Sequence, residues 1–346
     1  MQSARKEKLR STFPKVRARA TDGLSVLAAV VLVLVLALVG AGSAWSQDAG
    51  VPIKVGIIPG IIDVPVLLMQ AMGLPAKYGV KLDVRRFADP GTINEAWLHR
   101  EIHLQPGMNV LQSSAQFLKT GYGLAVFSSF LASNTVIVKS TSPITQLRDL
   151  KGKRLGIPNR LSGEGLVLRW LFDEVGVPWE KEVDVREIPP NVMPGMLQRD
   201  QIDAMVLFEP LASMALTTGP FRTALDVQGE WQRRQGSPLM FSAIHVDDRF
   251  ARENGEVLRA YLRMYREAAL QIPKDPDKAF AHYKTAMKLT DRTFEVLKEN
   301  MKDDYPVEWN EKTIKGMHEV LKLAVRFGLI EKIPEKMFAL EYAPRS

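Results

Sequence analysis

The sequence predicts an α/β fold in two lobes, and three observations point there. Short apolar runs alternate with helix-patterned segments from residue 51 to about residue 135, the pattern of a parallel sheet covered by helices. The alternation restarts after Pro143 and runs to about residue 227. The stretch past the leader is also longer than one core usually serves, since single cores stop growing near about 250–300 residues. At 46% hydrophobic, the whole chain can bury a large interior.

The elements follow in order. Residues 51–58 (VPIKVGII) read as a strand, broken by Pro59-Gly60. A helix over 64–72 is entered at Asp63-Val64-Pro65, where proline is tolerated in the first turn. Residues 81–87 (KLDVRRF) alternate as a strand. A helix over 92–100, a short strand over 101–104 and a helix over 112–119 opened by Ser113-Ser114 come next, then strands over 125–129 and 135–138. The second series is a strand at 154–157, a helix at 166–175, a strand at 183–188, a helix at 194–199, a strand at 204–208, a helix at 210–216 and a strand at 223–227. A strand at 239–244 returns to the first lobe. From Asp247 the chain reads as mainly helical. Its clearest amphipathic helix, 256–270, places Val257, Leu258, Tyr261, Leu262, Met264, Tyr265, Ala268 and Ala269 on one side. No internal sequence repeat is evident.

Residues 1–22 are basic, residues 24–41 (LSVLAAVVLVLVLALVGA) are uncharged, and small residues follow at Gly42, Ser43, Ala44 and Ser46. This order predicts a secretory signal peptide cleaved after Ala44 or Ser46. The apolar run is also long enough to cross a bilayer, which takes about 17–25 residues, so a retained anchor is the alternative. Both place the remainder outside the cytoplasm. Seven of the 46 Lys/Arg and two of the 39 Asp/Glu lie within 1–46, leaving 39 basic against 37 acidic residues and a net charge of +2. The basic pI of 9.4 therefore belongs to the leader and does not argue for nucleic acid, which calls for a basic patch on the folded domain. The chain has no cysteine, which excludes a disulfide framework, a thiolate nucleophile, Cys-ligated zinc and a lipid-modified cysteine.

The segment Asp149–Pro158 reads as a turn and a strand, followed by a loop, Asn159-Arg160-Leu161-Ser162-Gly163-Glu164-Gly165, at a helix start. Unpaired N–H groups there attract an anion or a carbonyl oxygen, and Arg160 could pair with a negative group. An ordinary capped helix explains the same residues. Ser113 and Ser114 open a helix in the first half and are open to the same two readings. Pro59-Gly60 and Phe208-Glu209-Pro210 lie at strand ends, where ligands of open parallel sheets bind; Glu209 reads as a ligand partner or as a cap. His99 and His103 are four apart but lack the HExxH order, and a strand beginning at 101 separates them, so no metal site is expected. No GxSxG elbow, phosphate loop or GxGxxG fingerprint is present. No catalytic residue and no cofactor are expected.

Four segments carry a family likeness: IKVGIIPG at 53–60, MGLPAKYGVKLDV at 72–84, SPITQLRDLKGKRLGIP at 142–158 and RDQIDAMVLFEP at 199–210. With them the chain resembles the periplasmic substrate-binding proteins of ABC importers, in the branch that binds nitrate, sulfonates and taurine, and thiamine-pyrimidine precursors. It departs from the pattern at Arg100-Glu101-Ile102-His103, where relatives carry G-x-I-D. The resemblance implies the type II periplasmic binding protein fold: two Rossmann-like lobes, a central cleft and crossing hinge strands near 133–138 and 229–238. It implies lobe 1 as 51–135 plus 237–346, lobe 2 as 136–236, and a leader at 1–46. By position the cleft residues are Pro59, Gly60, Ser113, Ser114, Asn134, Thr135, Arg160, Ser162, Gly163 and Glu209. The implied role is capture of a small anionic or zwitterionic organic ligand by a monomer in the periplasm and its delivery to an ABC permease in the membrane, without catalysis. Two alternatives stay open: a membrane-anchored ligand sensor, and an enzyme of pyrimidine-precursor synthesis on the same scaffold, whose relatives carry a cysteine cluster that is absent here.

Overall fold

The computed structural model describes residues 52–58, 60–131 and 134–344. The predicted leader at 1–46 and Pro59 lie outside these residues. Among the described residues no helix is long and apolar enough to cross a membrane.

The described residues form ten strands: β1 (Ile53–Ile57), β2 (Leu82–Arg86), β3 (Leu104–Asn109), β4 (Leu124–Leu131), β5 (Asn134–Lys139), β6 (Arg154–Ile157), β7 (Asp184–Glu187), β8 (Ala204–Phe208), β9 (Phe221–Asp226) and β10 (Met240–Val246). They make two five-stranded sheets, ordered β2-β1-β3-β10-β4 and β7-β6-β8-β5-β9. Each sheet differs from the expected all-parallel pattern by one strand. β10 runs antiparallel to β3 and β4, and β5 antiparallel to β8 and β9. The crossings explain this. β4 carries Phe130 to the end of the first sheet that faces the second; β5 begins there with Asn134 and runs away from it, while β8 arrives with Phe208. β10 re-enters the first sheet in the same way with Phe241 and Ser242 near its start. The return is not a strand through 229–238. A helix, Val227–Gln235, fills most of that segment, and Gly236 ends it in the left-handed region at φ 65°.

The apolar patterning decides what packs where. Helix Gly255–Ala269 buries Leu258, Tyr261, Leu262, Met264, Tyr265, Ala268 and Ala269 against Phe127 and its neighbours in the first core. Full burial of a leucine-sized side chain is worth about 1.5–3 kcal/mol, so this one face anchors the C-terminal helices to the first sheet. In the second core the rings of Trp170 and Trp231 meet edge to face at 5.1 Å. Helix Glu311–Arg326 serves both cores, with Met317 and Leu321 in the first and Val320 and Leu323 in the second.

The two sheets repeat one another although the sequence shows no repeat. Equivalent tasks fall on residues whose numbers differ by a constant hundred. Lys54 N–H donates to His103 Nδ1 at 3.3 Å, and Arg154 N–H donates to Asp203 Oδ2 at 2.8 Å. Ile102 lies against Gly56 as Ile202 lies against Gly156. Arg100 and Asp200 both adopt left-handed backbone, at φ 57° and 56°, where glycine is the usual residue. Arg100 is held there by Asp247, whose two oxygens accept from its Nη1 at 3.1 and 3.0 Å, and by the ring of Tyr122 beneath it. The departure at Arg100–His103 thus keeps the architecture and changes the chemistry. Burial lowers the His103 pKa, so its neutral ring supplies the acceptor that Asp203 supplies as a carboxylate. Among the described residues no group of acids and histidines could hold a metal ion.

Candidate functional site

A cavity of about 800 Å³ lies between the sheets, within the roughly 300–1,000 Å³ typical of small-molecule sites. Strand ends of both sheets form its walls. The first sheet supplies Ile58 and the turn Gly60–Asp63 after β1, Gly107 and Asn109 of β3, Phe130 of β4, and Phe241 and Ser242 of β10. The second supplies Asn134 of β5 and the run Phe208–Leu211 after β8, with Glu164 from helix Gly163–Glu174. Helix Pro276–Ala286 closes one side with His282, Tyr283 and Ala286, and Met287 follows. Most of this lining is apolar, and four of the side chains are Phe or Tyr rings.

The turn after β1 is fixed from both ends. Gly60 N–H donates to Asp63 Oδ1 at 3.2 Å, and Tyr305 hydroxyl donates to Ile61 O at 2.7 Å. The Tyr283 hydroxyl donates to Asp63 Oδ1. Burial is the main cause that pushes the Asp63 carboxyl from 3.8 up to about 7, against the pull of the Gly60 N–H and of Arg86. Gly107 makes room for this turn. It sits at φ 75°, and a Cβ there would lie 1.8 Å from Ile62 Cγ2. Glu209 enters from the opposite wall. Asn300 Nδ2 donates to its Oε1 at 2.8 Å and Ser213 N–H to its Oε2 at 3.2 Å. Burial again raises its pKa, outweighing those donors. Asn134 stands beside it, since Asn134 of β5 pairs with Phe208 of β8.

The expected cleft residues divide. Gly60, Asn134 and Glu209 line the cavity. Thr135, next in β5, is half-buried and is not in the lining. Ser113 and Ser114 do not open their helix: it runs Val110–Thr120 and is capped by Asn109, whose side chain accepts from Leu111 N–H at 2.9 Å. An asparagine just before an apolar helical run is the sequence signal for this cap. Both serines are buried behind the wall; Ser113 Oγ donates to Val110 O at 3.2 Å. Ser162 does cap helix Gly163–Glu174, with its hydroxyl accepting from Gly165 N–H at 3.1 Å and donating to Asn159 O at 2.9 Å. That hydroxyl is therefore engaged within its own loop. Gly163 packs on the ring of Phe241, which a Cβ would approach at 3.0 Å. Arg160 turns away: its guanidinium donates to Val185 O and its N–H to Glu187 Oε1, both on β7. The residues not anticipated, Asp63, Gly107, Asn109, His282 and Tyr283, include the most perturbed acid of the cleft.

Residues 47–284 match the model of the NMT1-like family. The fold is similar to the periplasmic aliphatic sulphonate binding protein SsuA from Escherichia coli, at 17% identity over 83% of this chain and 91% of that chain, TM-score 0.69. It is similar to the alkanesulfonate-binding protein SsuA from Xanthomonas axonopodis pv. citri bound to MOPS, at 15% identity over 84% and 98%, TM-score 0.65. It is also similar to the desulfurization enzyme DSZB, at 13% identity over 84% and 97%, TM-score 0.63. The sequence matches no curated protein at a significant level. These likenesses establish the periplasmic-binding-protein fold, which serves both binding and catalysis among the neighbours. With its family model spanning most of its length, the chain belongs to the NMT1-like family.

Proposed function

We propose that the protein is an exported receptor that captures a small solute in the cleft and delivers it to an ABC permease. The observation that carries this reading is the cavity itself, about 800 Å³ in volume and walled by strand ends of both sheets. In this reading the parts built on the two sheets, divided between β4 and β5 and again ahead of β10, are lobes that rotate about the two chain crossings, and closure buries the ligand. A ligand can drive closure only by binding the closed form better than the open one, and walls drawn from both lobes provide for that. The leader at 1–46 directs the chain to the periplasm, the role is that of a monomer, and no reaction is catalysed. The names of the sulphonate-binding neighbours lend support. Binding is favoured over a DSZB-like reaction because the two buried acids hold walls together: Glu209 bonds Asn300 and Ser213, and Asp63 bonds Gly60 and Tyr283.

Native mass spectrometry of the protein purified from its host tests the reading. The expected spectrum holds one small-molecule adduct of unchanged mass over time, lost in Ala286→Trp, which fills the cleft from an exposed wall position. A spectrum without an adduct, or an adduct retained by Ala286→Trp, would contradict it.

A further inference from the structure

The cleft is electrically one-sided. Asp63, Glu164 and Glu209 reach it, and among the described residues no lysine or arginine does. Asp63 and Glu209 are 3% and 2% exposed. Buried charges are ordinarily paired, yet among the described residues neither of these forms an ion pair. Each is met by neutral donors alone: Gly60 N–H, its own N–H and the Tyr283 hydroxyl at Asp63, and Asn300 Nδ2 with the N–H and hydroxyl of Ser213 at Glu209. A carboxylate offers about four lone-pair sites, so both keep acceptor capacity. An independent observation lies next to Asp63. A side pocket of about 70 Å³ opens there, lined by Asp63 and by Gln105, whose buried amide oxygen has no hydrogen-bond donor. Buried polar groups are as a rule partnered. The free lone pairs of Asp63 and the Gln105 amide oxygen call for donors. Around them stand Phe130, Phe208 and Phe241, whose ring faces attract cations.

We infer that the cleft takes an organic cation: an apolar or aromatic body carrying a protonated nitrogen that donates to Asp63 and lies between it and Glu209. The inference rests on the reading of the cleft as a solute site and puts a cation in place of the anionic or zwitterionic ligand that the family resemblance implies. Arg160 is bonded to β7 and offers nothing to an anion in the cavity. Asp63 is faced by Tyr283 and, from the same helix, by His282; by Arg86 at the end of β2, which draws its pKa down; and by Tyr265 and Tyr305. With its pKa near 7, the ionised fraction of Asp63 rises from about one tenth at pH 6 to about nine tenths at pH 8, so affinity for a permanently protonated amine rises about tenfold across that range.

The test is calorimetric titration of the full chain with four probes: tryptamine, its neutral isostere tryptophol, its anionic counterpart indole-3-propionate, and MOPS. At pH 8 tryptamine should bind at least about tenfold tighter than the other three, weaken about tenfold at pH 6, and weaken about tenfold or more in Asp63→Asn. Glu209→Gln is the second variant should Asp63→Asn not fold, with a loss of the same direction expected. Tighter binding of indole-3-propionate or MOPS, or tryptamine binding indifferent to both variants, overturns the cation assignment and leaves the solute reading standing. Failure of tryptamine to bind below about 10 mM also overturns it. The solute reading fails separately, if the purified protein carries no adduct.

Discussion

Asp63→Asn should stabilise this protein, by an amount that grows as pH rises from about 4 to 7 and then levels off. The carboxyl is buried, and its pKa stands near 7 against an ordinary 3.8. The folded state therefore holds its proton to higher pH than the unfolded state does. Between about pH 4 and 7 the folded form binds more protons, so stability falls as pH rises through that window and stays low above it. The shift of about 3 pK units corresponds to about 4 kcal/mol at 1.36 kcal/mol per unit. That is a large share of the roughly 5–15 kcal/mol that holds a typical domain together. Asparagine is nearly isosteric and neutral, and its carbonyl oxygen can still accept from Gly60 N–H and the Tyr283 hydroxyl. At pH 5 the folded acid is protonated while the unfolded one is mostly ionised, so part of the cost is already present and the variant should be more stable by about 1–2 kcal/mol; at pH 8 it should be more stable by about 4 kcal/mol. Urea unfolding at the two pH values, at constant ionic strength, reads both numbers. A variant less stable at pH 8, or a difference that does not change with pH, would refute the reasoning. A cost of this size at neutral pH agrees with the proposed binding role of Asp63, since sites often trade stability for function.

Three further predictions follow from the same geometry. Gly107→Ala should destabilise by roughly 2–4 kcal/mol in urea melts, combining left-handed backbone strain with overpacking against Ile62, and should weaken any cleft ligand by displacing the turn that carries Asp63. His103→Ala removes the acceptor of Lys54 N–H and a ring stacked on Phe250 at 4.2 Å. Because the folded pKa of His103 lies below its ordinary 6.5, its contribution is present above that value and fades as pH falls. Urea melts should then show a loss of about 1–2 kcal/mol at pH 8 and a smaller one at pH 5. Glu209→Ala strips the acceptor from Asn300 Nδ2 and Ser213 N–H and should cost about 1–3 kcal/mol in urea melts, with Glu209→Gln closer to wild type.

Strands punctuated by glycine, proline or charge were legible in the sequence: β6 and β8 begin and end at 154–157 and 204–208, as their apolar runs predict. The fold class was legible because two rounds of alternation imply two sheets. Sheet direction was not, because β5 and β10 owe their orientation to crossings between the sheets, which no local pattern encodes. The repeat between the halves was hidden by changes of chemistry at equivalent places, His103 against Asp203 and Arg100 against Asp200. In the cleft, Gly60, Asn134 and Glu209 were visible as strand-end residues of the family pattern. Asp63 was visible only as a helix entry. Its raised pKa comes from burial and its partner Tyr283 from 220 positions away, and periodicity cannot register either. Arg160 misled for the opposite reason: a cation at a helix start reads as an anion site until a neighbouring strand is seen to engage it.

The most direct measurement is a crystal structure of the protein carrying the molecule that copurifies with it. The account predicts density enclosed by Asp63, Glu209, Phe208 and Phe241, with a nitrogen within hydrogen-bonding distance of Asp63. Density confined to the loop at Arg160, or an empty cleft with the molecule bound elsewhere, would contradict it.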